Sequence, residues 1–386
     1  MKVLLLSDTF AYGGGERHTA DLALSLLGRG LAVHTACIKP STPLLDEPAF
    51  APLRPLTTGL GATRYLDVAA LARLRRLVRQ LQPDVLVSSN MYALMYARWA
   101  TWGLSPAVPV VSVFHTTVLR DRKQQWQHRL IYNRLVRGTA AFVYLCQFQA
   151  AHWRGQGLAP GHPQVIYNGI DTQRFQPAAR AARRAAARQA LGVDDSAYVV
   201  GCNAMLRPEK NHRQLLQAVA ALRQQGLPAV AALLGDGALR AELQAQAQAL
   251  GIAAQVRFLG RQSQVEDHLA GFDVGALPST STETFSLAAL EQMAMGIPMV
   301  MSRQGGAAEM LTDGEHGSIV PTGDLPALVA ALARLHDPAL RARQGAAAAA
   351  HVAQRFDKSV MVDQYLGLLQ QVLARRQGSP AWAASA

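Results

Sequence analysis

The stretch MKVLLLSDTFAYGGGERHTADLALSLLGRGLAVHTACI, residues 1–38, contains the pattern on which the fold prediction depends. Two short apolar runs, Val3–Ser7 and Leu31–Ile38, are typical of buried strands, and the apolar spacing of Glu16–Leu27 between them predicts a helix. A helix between two such strands is the crossover that parallel pairing requires. Residues 1–38 therefore predict a strand–helix–strand unit of an α/β protein.

The same alternation continues along the chain in two series. In the first series, the remaining strand-like runs cover 84–88, 109–114, 140–145 and 164–170, and the second helical pattern covers 66–81. In the second, strand-like runs cover 198–205, 229–237, 256–260, 273–279 and 297–302, with helical patterns after Asn211, over 239–250 and after Glu283. We expect two Rossmann-like domains, 1–175 and 176–355, followed by a helix over 356–376. Such domains in tandem leave a cleft at the carboxyl ends of their sheets, where we expect the site.

Composition excludes several classes of protein. Half of the 386 residues are apolar and 17% are charged, which does not match a disordered, fibrous or small disulfide-stapled chain. Cys37, Cys146 and Cys202 lie far apart, which favours a reducing compartment over a disulfide or zinc framework. No stretch reaches the ~18 apolar residues of a membrane span, and Asp8 interrupts the apolar N-terminus before a signal sequence forms. We expect a cytoplasmic protein.

Positive charge is concentrated in the N-terminal half. Of the net charge of +12, residues 1–190 carry 23 Lys and Arg against 9 Asp and Glu, and the rest carry 15 against 17. This asymmetry favours an anionic partner for the first half. We expect peripheral contact of the N-terminal domain with the inner face of the cytoplasmic membrane, and no nucleic acid, because aromatic content is only 6% and no RRM, KH or helix-turn-helix signature appears.

The basic residues form three clusters, and a solubilising surface is the more common reason for any one of them. The first lies on or just before the amphipathic pattern 66–81, the second lies within 120–137, and the third lies on an Ala/Arg run that resembles a solvated helix. Their members are Arg64, Arg73, Arg75, Arg76 and Arg79; Arg120, Arg122, Lys123, Arg129, Arg134 and Arg137; and Arg180, Arg183, Arg184 and Arg188.

The strongest local motif is STSTETFSLAALEQMAMGIPMV, residues 279–300. Glu283 and Glu291 stand eight residues apart around a predicted helix start, where Ser281, Thr282 and Thr284 are capping residue types. The amides of the first turn, Thr284 to Leu287, would attract phosphate. Eight residues at ~1.5 Å rise span about 12 Å, so one carboxylate can grip each end of an extended nucleotide-sugar.

A second loop carries residues that suit the same ligand. Arg207 and Lys210 flank a Pro-Glu turn at the end of a strand, where two cations can neutralise a diphosphate. The chain has no Asp-x-Asp sequence, so we do not expect a bridging metal.

In the N-terminal half, Gly13-Gly14-Gly15 precedes the first helix and presents bare amides, yet His18 stands where a dinucleotide fingerprint needs its third glycine. His115 ends the strand 110–114 and faces the same cleft. A lone histidine is most often structural, and only the surrounding pattern favours a functional role here.

Together these segments resemble the family-4 retaining glycosyltransferases of the GT-B fold. Segments typical of that family occur in family order along the whole chain, namely the glycine loop, VIYNGID, RPEKN, GDG, VRFLG, ETFSLAALE and GGAAEM. The resemblance implies two Rossmann-like domains that face each other across a cleft, a nucleotide-sugar on the C-terminal domain, an acceptor on the N-terminal domain, and a last helix that crosses back to the first domain.

The resemblance also implies residue roles. Arg207 and Lys210 would stabilise the departing diphosphate, Glu291 would hold the ribose, Glu283 the sugar hydroxyls, and His115 would lie beside the reacting carbon. The donor-binding set implied in this way is Gly14, Gly15, Arg207, Lys210, Arg257, Phe258, Leu259, Glu283, Thr284, Phe285, Ser286, Leu287 and Glu291. Thr284 and Ser286 replace glycines that the family often has, and spacing alone gives Asp8 and Asn168 no role.

We therefore expect a retaining, metal-independent glycosyltransferase without a cofactor. It would move a sugar from a nucleotide-diphosphate sugar, with a UDP-sugar favoured, to a hydroxyl of an anionic envelope glycan or glycolipid such as lipopolysaccharide core. The leaving phosphate oxygen would take the proton of the acceptor on the same face of the sugar. The alternatives are a nucleotide-sugar epimerase or hydrolase on the same fold and a non-enzymatic protein that binds an anionic polymer.

Overall fold

Each half of the chain is built on its own parallel sheet in the computed structural model, which describes residues 1–117, 131–281 and 283–378. Unit 1 comprises Met1–Tyr167 and the described part of Met361–Ala386, and unit 2 comprises Asn168–Val360. Four members of the second basic cluster, Arg120, Arg122, Lys123 and Arg129, and the capping candidate Thr282 lie outside the described residues.

The sheet of unit 1 has seven strands. In chain order they are β1 (Lys2–Ser7), β2 (Ala32–Cys37), β3 (Thr57–Gly59), β4 (Val85–Ser89), β5 (Val110–Phe114), β6 (Ala141–Tyr144) and β7 (Pro163–Val165). The helices of its first segment are α1 (Gly14–Gly28), α2 (Val68–Leu81), α3 (Asn90–Thr101), α4 (Asn133–Arg137) and α5 (Gln147–Gly155). The spatial order is β3-β2-β1-β4-β5-β6-β7, so the direction of winding reverses between β1 and β4.

Unit 2 repeats this winding with six strands. They are β8 (Tyr198–Asn203), β9 (Ala229–Leu234), β10 (Val256–Gly260), β11 (Val274–Leu277), β12 (Met299–Ser302) and β13 (Gly317–Val320), in the spatial order β10-β9-β8-β11-β12-β13. Its helices are α6 (Pro177–Leu191), α7 (His212–Gln224), α8 (Arg240–Ala249), α9 (Val265–Leu269), α10 (Leu287–Ala294), α11 (Ala307–Met310), α12 (Leu325–Arg334) and α13 (Pro338–Arg355). The direction reverses between β8 and β11.

Apolar runs become strands here because helices cover the sheets. Every residue of β4, β5 and β9 is buried, as expected for parallel strands enclosed on both faces. All three cysteines are buried thiols. The predicted α/β class with two doubly wound sheets is confirmed.

The last helix, α14 (Lys358–Gly378), joins unit 1 from Met361 onward. Its side chains Tyr365 and Leu369 are fully buried there. The units divide at 167/168 and 360/361, compared with the expected 175/176 and 355/356. Backbone bonds account for the difference, because Ile170 donates to the Phe356 carbonyl at 3.0 Å and accepts from the Lys358 amide at 2.8 Å within unit 2.

The prediction of a solvated helix at the third basic cluster is wrong. On α6, Arg188 is only 3% exposed and its guanidinium lies 3.2 Å from Oδ2 of the buried Asp273, while Arg184 lies 2.7 Å from Oδ1 of the same carboxylate. Burial, together with neighbouring Arg184, lowers the pKa of Arg180 to about 10. These arginines pack against the start of β11 because Asp273 needs cationic partners once it is buried.

The charge asymmetry nevertheless follows the units. Unit 1 has 20 Lys and Arg against 9 Asp and Glu, and unit 2 has 18 against 17. Within the described ranges, no helix combines the length and the apolar character of a membrane span.

Candidate functional site

The candidate site of unit 2 lies at the carboxyl ends of β8 and β11, the neighbouring strands between which the winding reverses. In sheets of this kind, ligands bind at that point. The loop after β8 carries Arg207 and Lys210, and the loop after β11 carries Glu283. Lys210 Nζ lies 2.5 Å from Glu283 Oε2, so two residues 73 positions apart form one ion pair.

Glu283 is held in place by several contacts. Its side chain is only 8% exposed, and Ser279 Oγ donates to the same carboxylate oxygen at 3.0 Å. The two loops are also joined through their backbones, because the Thr280 amide donates to the Glu209 carbonyl at 2.9 Å. A carboxylate this deeply buried needs such partners, because an unpaired buried charge is strongly destabilising.

The backbone of Glu283 is fixed by a glycine pair from a third loop. At Gly305 (φ +54°) an added Cβ would stand 1.4 Å from the Glu283 carbonyl oxygen, and the Gly306 amide donates to the Thr284 carbonyl at 3.0 Å. The predicted GGAAEM segment therefore serves here as the surface on which the Glu283 loop rests.

Glu291, predicted as the ribose ligand, lies on α10 and is 1% exposed. Asn203, the last residue of β8, donates from Nδ2 to Glu291 Oε2 at 3.3 Å. This contact brings the second carboxylate to the same end of β8 that precedes the Arg207 loop. Both predicted glutamates therefore lie near the carboxyl ends of neighbouring strands of the same sheet.

The predicted helix start is wrong. α10 begins at Leu287, four residues after Glu283, and Ser286 is its N-cap, with Oγ accepting from the Ala289 amide at 3.3 Å. Thr284 and Phe285 belong to the preceding loop, so a helical rise does not apply over the whole interval from Glu283 to Glu291. The first-turn amides are those of Leu287, Ala288 and Ala289. Ser286 displaces the start because its hydroxyl satisfies a first-turn donor.

Arg207 differs from Lys210 in its surroundings. Its side chain is 50% exposed and lies 4.0 Å from Glu209 Oε1. The loop that carries it packs on the predicted GDG segment, where a Cβ at Gly235 would lie 2.1 Å from the Ala204 carbonyl and one at Gly237 2.5 Å from the Leu206 carbonyl. Small residues there let the two loops approach.

The predicted base-binding segment lies on β10, at the edge of the sheet. The Arg257 side chain donates to the Leu191 carbonyl at 2.6 Å and so ties β10 to the end of α6. The Phe258 and Leu259 carbonyls accept from Arg240 at 3.4 Å and from Gln262 at 2.7 Å.

In unit 1, the glycine loop and His115 form a separate cluster. A Cβ at Gly15 would lie 3.1 Å from the His115 ring, so a side chain there would press on that ring, and Gly14 is the first residue of α1. The His115 amide donates to Asn90 Oδ1 at 2.9 Å, and Ser89 Oγ lies 3.5 Å from His115 Nε2. His115 therefore sits beside the winding reversal of its own sheet.

A second histidine lies against the first. The His18 ring is 2% exposed, meets His115 edge-on at 4.8 Å between centroids, and has Nε2 3.3 Å from the Tyr365 hydroxyl. Burial lowers the pKa of His18 to about 4, and burial together with His18 holds the pKa of His115 well below its ordinary value. Both imidazoles are neutral at pH 7, which suits hydrogen bonding rather than charge pairing.

Sequence reasoning missed the polar partners of the predicted residues. Asn203 and Ser279 orient the two glutamates, and Ser89 and His18 contact His115. Asn168, without a role in the sequence, is 4% exposed and donates from Nδ2 to the Phe285 carbonyl at 3.0 Å, which supports the loop before α10. No cluster of His, Cys, Asp and Glu with metal-ligand geometry occurs in the described part of the chain.

Two family models match the chain. The model described as Glycosyltransferase Family 4 matches residues 12–174, and the model described as Glycosyl transferases group 1 matches residues 183–351. Among solved structures, Anabaena Alr3699/HepE in complex with UDP is similar with a TM-score of 0.83 and 23% identity, covering 96% of this chain and 100% of that chain. That likeness shows the fold.

Curated relatives align over a shorter region. A lipopolysaccharide core biosynthesis mannosyltransferase, LpsB, from Rhizobium meliloti is 32% identical over 52% of this chain and 57% of its own length. A GDP-mannose-dependent monoacylated alpha-(1-6)-phosphatidylinositol monomannoside mannosyltransferase from Corynebacterium glutamicum is 31% identical over 54% of this chain and 57% of its own length. The chain spans about half the length of the curated relatives it matches.

Gly305→Ala tests the support of the Glu283 loop. We expect the free energy of unfolding to fall by about 2–4 kcal/mol, because the new methyl group collides with the Glu283 carbonyl and the residue keeps a left-handed backbone. Gly314→Ala is the matched control, since Gly314 has φ +79° but open space around it. Chemical denaturation compares the two variants, and equal losses would contradict a specific contact with Glu283.

His18→Phe tests the neutral histidine. Between pH 6.5 and about 4 the unfolded chain protonates this histidine while the folded chain does not, so the stability of the wild type falls with falling pH relative to the variant. We expect a relative loss of up to about 1.4 kcal/mol per pH unit. Denaturation at pH 7.5, 6 and 5 measures it, and parallel stability curves for the two proteins would refute a neutral His18.

Proposed function

Because the chain belongs to the family-4 glycosyltransferases, we propose that it transfers a sugar from a UDP-sugar to a hydroxyl of an envelope glycan or glycolipid such as lipopolysaccharide core. One observation carries the proposal: the Lys210–Glu283 pair and the Asn203–Glu291 pair lie at the carboxyl ends of neighbouring strands of one sheet. A cation and two carboxylates at a winding reversal suit a ligand that carries both a diphosphate and hydroxyls.

The chemistry we propose retains the anomeric configuration. The bond between the anomeric carbon and the diphosphate oxygen breaks, and its electron pair goes to that oxygen. The acceptor oxygen bonds to the anomeric carbon on the same face, and its proton passes to the departing phosphate oxygen. No enzyme nucleophile takes part, so the protein acts by stabilising charge that develops on the diphosphate.

In the proposal, the positive side chains of Arg207 and Lys210 neutralise the charge that develops on the diphosphate, and no metal ion takes part. Lys210 is paired with Glu283 when no donor is bound. A bound diphosphate competes for the ammonium group, and Glu283 is then available to accept hydrogen bonds from sugar hydroxyls. Arg207 is half exposed and meets the diphosphate from the solvent side.

The base of the donor has two candidates. The Anabaena structure of the same fold contains UDP, whereas the Corynebacterium relative is named for GDP-mannose. Thermal shift with UDP-glucose, UDP-galactose and GDP-mannose separates them, because a ligand that binds the native state raises the melting temperature. The LpsB relative supports the envelope acceptor.

Arg207→Ala tests the role of the cations. We expect kcat to fall about hundredfold with a small change in KM, because the charge that Arg207 meets grows in the transition state. Arg213→Ala is the control, since Arg213 has similar exposure but pairs with Glu242. Nucleotide release is measured with the donor from the thermal screen, with and without lipopolysaccharide core extract. Unchanged turnover in Arg207→Ala would exclude this mechanism, and release independent of acceptor would indicate a hydrolase.

Membrane contact through α2 is the second part of the proposal. Arg73 and Arg75 donate to carbonyls of Leu60 at 2.7 Å and Trp102 at 2.6 Å, so they hold unit 1 together. Arg76 and Arg79 are exposed, and the apolar side chain of Val68 on the same helix is 79% exposed. Exposed cations on a helix that also carries an exposed apolar side chain suit the surface of an anionic leaflet.

Arg76→Gln combined with Arg79→Gln tests this surface. At about 1 kcal/mol per arginine we expect binding to phosphatidylglycerol vesicles to weaken about thirtyfold. Arg183→Gln with Arg213→Gln, two exposed cations of unit 2, is the control. Co-sedimentation is the measurement, and an equal loss in both double variants would point to net charge rather than to α2.

A further inference from the structure

Side chains hold the backbone of His115 where β5 ends. The strand ends at Phe114, and backbone groups beyond a strand end have to find partners outside the ladder. The His115 amide donates to Asn90 Oδ1 at 2.9 Å. The carbonyls of Phe114 and Thr116, on either side of His115, accept from Nε2 of Gln149 at 2.9 and 3.1 Å. Two side chains therefore take the place of the ladder around this histidine.

The carboxamide of Gln149 has a single orientation that satisfies its surroundings. The residue lies on α5 and is fully buried. Its Nε2 donates to the two carbonyls, and its Oε1 accepts from the Leu145 amide at 2.7 Å. If the amide were turned over, its oxygen would face two carbonyls and its nitrogen would face an N–H group, so all of these bonds would be lost. Because a buried carboxamide is costly unless it is bonded, Gln149 and the backbone fix each other.

The groups that hold His115 come from both sides of its strand. In the sheet, β5 lies between β4 and β6. Asn90 is the first residue of the helix after β4, and Gln149 belongs to the helix after β6. Trp153, one turn further along α5, donates from Nε1 to the Thr116 carbonyl at 2.8 Å. The backbone at His115 is thus bonded to elements that follow both neighbouring strands.

Asn90 has an unusual backbone conformation at this contact. Its φ of +67° lies in the left-handed region, which asparagine enters more readily than most residues with a side chain. Such conformations cost free energy, persist where the surrounding structure fixes them, and cluster at functional sites. The conformation of Asn90 therefore indicates a functional role independently of the hydrogen bonds of Gln149.

The imidazole of His115 is restrained by a separate set of contacts. It lies against Gly15 and against the His18 ring, and Ser89 Oγ is 3.5 Å from its Nε2. Contacts to the backbone and contacts to the ring together leave this histidine little freedom. Precise placement of a group that meets a substrate requires such support from residues around it.

We propose that Gln149 and Asn90 are positioning residues, which fix the backbone of His115 so that its imidazole keeps its place beside the sugar during transfer. Trp153 supports the same backbone from α5. Neither positioning residue touches the sugar, so their effect on the rate passes through His115. The inference rests on the proposed function, because it takes His115 to lie beside the sugar of the donor.

Gln149→Met in the full chain tests the proposal. Methionine has a similar length and removes the three side-chain hydrogen bonds. We expect kcat to fall about tenfold or more, with KM for the donor changed less than about twofold, because a small displacement of a reacting group lowers the rate steeply. Nucleotide release is measured with lipopolysaccharide core extract and whichever of UDP-glucose, UDP-galactose and GDP-mannose stabilises the wild type.

Asn90→Gly is the second variant and covers the case in which Gln149→Met does not fold. Glycine keeps the left-handed backbone without strain and removes the acceptor of the His115 amide. We expect the same fall in kcat.

Gln344→Met is the matched control. Gln344 is also a buried glutamine, 2% exposed, and its Nε2 donates to a backbone carbonyl, that of Gly314, at 2.7 Å in unit 2. This variant should keep the wild-type kcat even if it lowers stability.

A double-mutant cycle with His115→Ala separates positioning from a general loss of structure. If Gln149 and Asn90 act through His115, their substitutions should lower kcat by no more than about twofold further once the imidazole is absent. Losses that multiply in this background would overturn the proposal.

NMR of protein with ¹⁵N-labelled histidine tests the positioning without substrate. The His115 signal, assigned by its loss in His115→Ala, should shift and broaden in Gln149→Met and in Asn90→Gly but not in Gln344→Met. An unchanged His115 signal, or wild-type kcat in both site variants, would also overturn the inference. If the wild type releases no nucleotide from any of the three donors, the proposed function fails instead, and the NMR signal still decides the positioning.

Discussion

A buried carboxylate cannot be left without a cation or donor, and in unit 2 this constraint governs the site. Glu283 is almost removed from water, so the fold has to bring Lys210 and Ser279 to it. That is possible because the loops that carry these residues follow β8 and β11, which are paired in the sheet although 70 residues separate them. The Lys210–Glu283 ion pair therefore depends on the winding reversal of the sheet. The close approach of Gly305 keeps the Glu283 backbone next to this ion pair.

Unit 1 satisfies its buried groups in a different way. At its winding reversal, His18 and His115 are neutral, and their burial is compatible with one another because neither carries a charge. Gly15 has no side chain where the His115 ring lies, and Tyr365 of the last helix reaches His18. Unit 2 thus presents charged groups at its winding reversal, and unit 1 presents neutral imidazoles.

The sequence was sufficient for most strands, although β3 and β13 were not predicted, but not for every helix. Runs such as 110–114 are apolar apart from Ser112 and were recognised for that reason. α3 was missed because nine of its twelve residues are buried, so it has no polar face and no amphipathic period. α6 was misinterpreted for the opposite reason: its arginines look solvated, but Arg184 and Arg188 pair with the buried Asp273, which lies 89 and 85 positions later in the chain. The glutamates and cations of the site were identifiable from spacing and residue type. Their partners Asn203, Ser279 and His18 were not, because only the fold brings them near.

Thr284 and Ser286 determine which backbone groups of the proposed donor site of unit 2 are already bonded. Ser286 uses its hydroxyl to satisfy the Ala289 amide, one of the three donors in the first turn of α10. The Thr284 carbonyl is occupied by the Gly306 amide, so the loop before the helix is bound to its neighbour instead of remaining open. A phosphate at this terminus would find the Ala289 amide already bonded to Ser286. In the proposed donor site, Arg207 and Lys210 would therefore be the main groups that neutralise a diphosphate.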